Sequence, residues 1–328
     1  MFHPTGLIDN NEFKDSRVVV AGDLSLLAHA LWSQPSTIGH PNQAGVVFVE
    51  DNTFIFTEFG NAIDSNYGGR YVFRHNTLTD VYIEAHSVQG ENRGPRSWEI
   101  YDNAFTFTNE IYTSMFLRGG TGVVFNNTIV GPVSNAIVLD NVRSWEFLEF
   151  PPGSCDGTSP WDGNTPGFDG WPCRDQIGRG MDVLGSFPQP QASEPAYFWN
   201  NTLNGVPADP TVDHCDPVVK VNGSCADIVL GRDYFASVAR PGYVSFNYPH
   251  PQRAADVVAP PTFADVVAAA QTAVASGNLT GIGPGHSARA RLVAWQLMLR
   301  TAAKASMWSA WKYGSCVILR GAYLRIDG

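Results

Sequence analysis

Asp64, Glu84, His86, Arg118 and Asp140 have side chains that can do chemistry, and they close short apolar stretches: Ala62-Ile63-Asp64, Ile83-Glu84-Ala85-His86, Phe116-Leu117-Arg118 and Val138-Leu139-Asp140. Val20-Ala21-Gly22-Asp23 ends in the same way. Two carboxyls flanking a bond can serve as proton donor and as nucleophile or base. A histidine with an arginine offers different chemistry, in which the imidazole removes a proton and the guanidinium neutralises the anion. Glu84 and His86 share strand parity, so they face one side. Gly68-Gly69 after Asp64 and Gly119-Gly120 after Arg118 would leave the surface open beside the charges, as a groove requires. A solvated outer face would carry the same residue types.

What positions these residues is a phrase that returns six times: Ile8-Asp9-Asn10-Asn11-Glu12-Phe13, Val49-Glu50-Asp51-Asn52-Thr53-Phe54, Phe73-Arg74-His75-Asn76-Thr77-Leu78, Ile100-Tyr101-Asp102-Asn103-Ala104-Phe105, Val124-Phe125-Asn126-Asn127-Thr128-Ile129 and Phe198-Trp199-Asn200-Asn201-Thr202-Leu203. Its fourth residue is always Asn, and the Asn positions step by 41, 24, 27, 24 and 74. A recurring step near 24 predicts a solenoid. The apolar residues come in short bursts such as Tyr71-Val72-Phe73 and Val123-Val124-Phe125, which predicts strands rather than helices. In such a coil each Asn amide can donate to the Asn carbonyl one rung away, fixing the register. The charged stretches lie 10 to 15 residues after the preceding Asn, so Asp64, His86, Arg118 and Asp140 are expected in one row, adjacent members about 4.8 Å apart.

On this periodicity and the Asn phrase, residues 1 to about 250 resemble the pectate-lyase-like right-handed parallel β-helix proteins, many of them secreted bacterial polysaccharide-active enzymes. The resemblance implies an all-β fold, a right-handed parallel β-helix solenoid over residues 1–255. The step of 74 is then one rung plus about 50 extra residues, a long loop insertion spanning about 145–196. Its Trp145, Trp161 and Trp171, with Phe168, are expected to stack on sugar rings or to pack the loop onto the solenoid. Residues 256–328 form a C-terminal cap, helical over Ala264–Ala275, or a non-native tail.

The resemblance implies a polysaccharide or oligosaccharide as partner and a polysaccharide-degrading enzyme, a glycoside hydrolase first, with a lyase or a non-catalytic binder as the alternatives. A glycoside hydrolase would pair Asp64 with Glu84, or Asp140 with a loop acid such as Asp156 or Asp162, with His86 and Arg118 orienting the substrate. A polysaccharide lyase would use His86 as base and Arg118 as neutraliser, with Asp64 and Asp140 holding Ca²⁺, the one cofactor considered. A non-catalytic adhesin or tailspike-like module would bind glycan in the same groove. The polygalacturonase pattern of Asn-Thr-Asp, paired Asp, Gly-His-Gly and Arg-x-Lys is absent, as are a nucleophile elbow, a phosphate loop and a zinc-protease motif.

Composition narrows the partners further. Residues 1–255 hold 28 of the 31 acidic and 14 of the 21 basic residues, which excludes nucleic acid and disfavours a polyanionic glycan without a bridging cation. No run of 18 apolar residues occurs, so no membrane span is expected. Cys155 with Cys173 and Cys215 with Cys225 are placed for two local disulfides, which fits a secreted or cell-surface protein; no cysteine spacing fits a metal site. Met1-Phe2-His3-Pro4 runs directly into the first Asn phrase without a signal peptide, as if the chain starts inside a longer coil.

Overall fold

The computed structural model describes residues 4–22, 29–39, 45–86, 93–141, 173–183, 191–213, 215, 224–255, 316–319 and 322–327. Asp23, Trp145, Cys155, Asp156, Trp161, Asp162, Phe168, Trp171 and the stretch 264–275 lie outside these residues, and with them the expected sugar-stacking tryptophans and helical cap. The chain divides into two units, Met1–Phe246 with Cys316–Gly328, and Asn247–Ser315. In the second unit the described residues include a short helix, Pro251–Ala255, where the Gln252 N–H donates to His250 Nδ1 at 3.2 Å.

The first unit is almost entirely β. One sheet is parallel throughout and runs Gly6–Asp9, Val47–Glu50, Arg70–Arg74, Ser97–Tyr101, Thr121–Phe125, Ala196–Trp199 and Tyr234–Ala236. Its register aligns Val49, Phe73, Ile100, Val124 and Phe198, all buried in the main core. A second sheet contains Arg17–Ala21, Thr53–Asn66, Thr77–Ala85, Ile111–Leu117, Val133–Leu139 and Thr211–Val212, paired in parallel in that order. Its inward column of Ile63, Ile83, Met115 and Ile137 closes the same core. Strands buried on both faces account for the continuous apolar bursts in the sequence.

The Asn residues at the turn between the sheets form the expected ladder. Asn11 donates to Asn52 at 3.1 Å, Asn52 to Asn76 at 3.1 Å, Asn76 to Asn103 at 3.1 Å, Asn103 to Asn127 at 3.0 Å and Asn127 to Asn201 at 2.9 Å. The residue before each of them, Asn10, Asp51, His75, Asp102, Asn126 and Asn200, has φ between 54° and 57°. That is the left-handed region, where Asn and Asp are the most tolerant side chains. The ladder therefore explains two polar positions of the phrase, one for the hydrogen bond and one for the backbone.

Ladder bonds cross the long steps too. Asn127 reaches Asn201 directly, so the residues between the Thr128–Val130 strand and Ala196 include an excursion between neighbouring strands. The described part of that excursion is anchored beside the strand that carries Arg118. Gly120 N–H donates to Asp175 O and Gly178 N–H to Gly120 O, while Asp175 and Asp182 grip the buried Arg93, which lies over Trp32. Gly120 has φ 79°, and a Cβ there would sit 2.6 Å from Pro95 O. A Cβ on Gly69 would sit 2.3 Å from Val20 O. These two glycines permit close backbone approach and do not open the surface, contrary to the sequence expectation. Of the expected disulfides, Cys215–Cys225 is formed, with Cα atoms 5.0 Å apart.

The outward face of the first sheet is also covered, and one acid is trapped there. Glu99 accepts from Tyr243 Oη at 2.5 Å and from Gly39 N–H at 2.9 Å, and burial pushes its pKa up to about 7, only partly opposed by those two bonds. A carboxyl with a raised folded pKa adds stability below its unfolded value, about 4.5, and loses it as pH rises through about 7. The change is on the order of 3 kcal/mol. Glu99→Gln should therefore flatten the fall in unfolding free energy between about pH 4.5 and about pH 7, as measured by urea denaturation. An unchanged slope would show that Glu99 does not bind its proton there.

Candidate active site

Asp64, Glu84, His86 and Arg118 come together on the outward face of the second sheet. His86 Nδ1 lies 2.5 Å from Asp64 Oδ1, and its Nε2 lies 3.9 Å from Glu84 Oε1. Arg118 Nη2 donates to Glu84 Oε1, and Asn61 Nδ2 donates to Glu84 Oε2 at 2.7 Å. Tyr82 Oη donates to the same Oε2 at 3.2 Å. Burial and the Glu84 carboxylate both push the Tyr82 pKa up, which keeps it a donor. Asp64 is 5% exposed, Arg118 7% and Glu84 9%. These charges are therefore not a solvated face; each is held by a partner, as buried charges require.

The strands make this convergence. Ile63 pairs with Ile83, so Asp64 comes level with Glu84, and Leu117 pairs with Ala85, so Arg118 comes level with His86. The single row expected from sequence is thus two rows, two residues apart. The cause is a register shift in the Thr53–Asn66 strand: Ile55 pairs with Thr79 but Gly60 with Val81, and a second shift falls between Asn61 and Ile63. Extra residues in one strand displace everything after them. Asp64 still meets His86, diagonally across two strands.

Asp140 stands apart from this network. Leu139 pairs with Leu117, so Asp140 is level with Arg118, but it is fully buried and its Oδ1 accepts the Asn141 N–H at 2.8 Å. Asn61 and Tyr82 are the partners that sequence reasoning missed. Tyr82 was legible, since Tyr82, Glu84 and His86 alternate along one strand; Asn61, before the second shift, was not.

Glu84 has only acceptor oxygens toward three donors, so the arrangement addresses its carboxylate form. Asp64 and His86 instead share one short hydrogen bond, a place to keep a proton that can be given and taken back. Asp64, Glu84 and His86 each offer a donor atom within 4.8 Å of the others, and are the described residues that could hold a metal ion. The imidazole suits a transition metal better than Ca²⁺, and the Arg118 guanidinium already bonds Glu84 Oε1. Comparison of the chain with protein-family models, with curated proteins and with solved structures gives no match in any of the three.

Proposed function

We propose that the chain is a right-handed parallel β-helix of the pectate-lyase-like type and a glycoside hydrolase that retains anomeric configuration. For the fold, the support is two parallel strand ladders with a common core, joined at a turn where the Asn column runs from Asn11 to Asn201. For the reaction, the observation that carries the reading is a pair of carboxyls in opposite settings. Their nearest oxygens are no more than 4.8 Å apart, which leaves no room for the water that inverting enzymes hold across roughly 6.5–9.5 Å, and one is surrounded by donors while the other makes a short hydrogen bond to a histidine.

In this mechanism Glu84 attacks the anomeric carbon as the bond to the leaving oxygen breaks, and the proton held between Asp64 and His86 passes to that oxygen. Water then attacks the glycosyl–Glu84 ester, giving its proton to the Asp64–His86 pair and releasing Glu84. The natural setting is a secreted or cell-surface protein acting on an extracellular glycan. The test is a panel of purified neutral and acidic polysaccharides: the hydrolase produces new reducing ends without an unsaturated product.

One observation favours the lyase as second reading. Arg118 comes level with His86 on the neighbouring strand, so a neutralising cation and a base stand side by side, as that reaction needs. His86 would then be the base, and ultraviolet absorbance of the product would rise. Binding to a panel member without turnover would instead mark a non-catalytic glycan-binding module.

A further inference from the structure

The register shift that moves Asp64 also builds a surface feature outside the Asp64–Glu84–His86–Arg118 network. The extra residues of the Thr53–Asn66 strand project Phe59, which is 63% exposed, and Tyr112, two strands away beyond Thr77–Ala85, is 49% exposed. Both line a groove of about 450 Å³, with Glu58, Asp80, Asn109 and Glu110 among its other walls. Phe59 stacks on Tyr82, ring centroids 4.7 Å apart and planes 7° apart, and the Tyr82 hydroxyl reaches Glu84. The groove and the carboxyl pair are thus bridged by one side chain.

We infer that this groove is a glycan subsite, and that it selects uncharged sugar units. This rests on the glycoside-hydrolase reading for its direction but not for its binding. Exposed aromatic faces offer a sugar ring's C–H surface an apolar platform, while the carboxylates and the Asn109 amide accept or donate to its hydroxyls. The lining contains three acids, Glu58, Asp80 and Glu110, and no basic residue, so a uronate carboxylate would meet only like charge there. Asp80 is itself fixed, accepting Thr108 N–H and Oγ1–H, both at 2.7 Å. Asp80 and Glu84 are four residues apart on one strand, about 13 Å by strand rise. That is the reach of an oligosaccharide rather than of one ring, and the substrate backbone would run along the strand from groove to Glu84.

The test is affinity electrophoresis of the wild-type chain, Phe59→Ala and Tyr112→Ala in gels containing hydroxyethyl cellulose, xylan or polygalacturonate, beside reducing-end assays on the same polymers. The inference expects at least one neutral polymer to retard the wild type, with each variant binding it about tenfold more weakly, the loss of roughly 1.4 kcal/mol of stacking. Phe59→Ala loses the stack on Tyr82 and Tyr112→Ala the hydrogen bond to Asp213, so both variants should stay folded and melt only a few degrees below the wild type. Equal retardation of wild type and variants, stronger retardation by polygalacturonate, or retardation by none of the three would overturn it. Weakened binding by the variants where the wild type has no turnover would uphold the subsite and remove the hydrolase. Turnover with unaffected variants would do the reverse.

Discussion

Glu84→Gln should lower turnover at least about a thousandfold, the loss expected when a nucleophile acting in concert with other groups is removed. The amide is nearly isosteric and, with its oxygen toward Arg118, keeps that bond while its NH2 turns toward Asn61 and Tyr82, whereas Glu84→Ala would leave the 7%-exposed Arg118 facing a void, at roughly 3–5 kcal/mol. Asp64→Asn tests the other half of the pair without disturbing Arg118. It should cost about a hundredfold or more, the range of general acid–base assistance, and should shift the pH–rate profile, because the hydrogen bond to His86 Nδ1 at 2.5 Å no longer involves a carboxyl. If Glu84→Gln keeps wild-type turnover while Asp64→Asn loses it, His86 is acting as a base oriented by Asp64 with no nucleophile at Glu84, and the lyase reading gains.

Asn103→Ala should be among the most destabilising substitutions in the chain. Its Oδ1 accepts the Asn76 N–H at 3.0 Å and the Asn76 amide at 3.1 Å, and its Nδ2 donates to Phe73 O at 2.9 Å, Tyr101 O at 3.0 Å and Asn127 Oδ1 at 3.0 Å. Asn103 is 2% exposed, so truncation leaves several of these groups buried without partners. At about 2 kcal/mol per orphaned group, the middle of the usual range, two or three orphans amount to about 4–6 kcal/mol. Asn11, at the exposed end of the ladder, makes its bond to Asn52 in part-solvated surroundings, and Asn11→Ala should cost about 1 kcal/mol. Urea unfolding of both variants reads the contrast. Equal losses would mean that the column does not act as a buried ladder.

The ladder was legible because its spacing is nearly periodic and each rung must repeat the same two needs, an amide and a left-handed residue. The same ruler could have aligned more. Glu50 and Arg74 each stand two residues before a ladder Asn, and they form a fully buried ion pair. The network around Glu84 was half legible: alternation put Tyr82, Glu84 and His86 on one face, but the offset of Asp64 by two residues depends on shifts inside one strand. Nothing in composition marks Phe56–Phe59 as extra, since the stretch reads like the strand around it. The clamp of Asp175 and Asp182 on Arg93 was not legible at all, because it spans residues more than 80 apart whose separation follows no repeat. Phe59 stayed hidden for the same reason as the register shift, because the same extra residues create both.

The central claim is that the neighbouring carboxyls of Asp64 and Glu84 work as a retaining pair. It is tested most directly by the anomeric configuration of the first product released from a polymer that the chain cleaves, followed by proton NMR before mutarotation. The account predicts that the new reducing end appears first with the configuration of the bond that was cut. A product that appears first with the opposite configuration would contradict it.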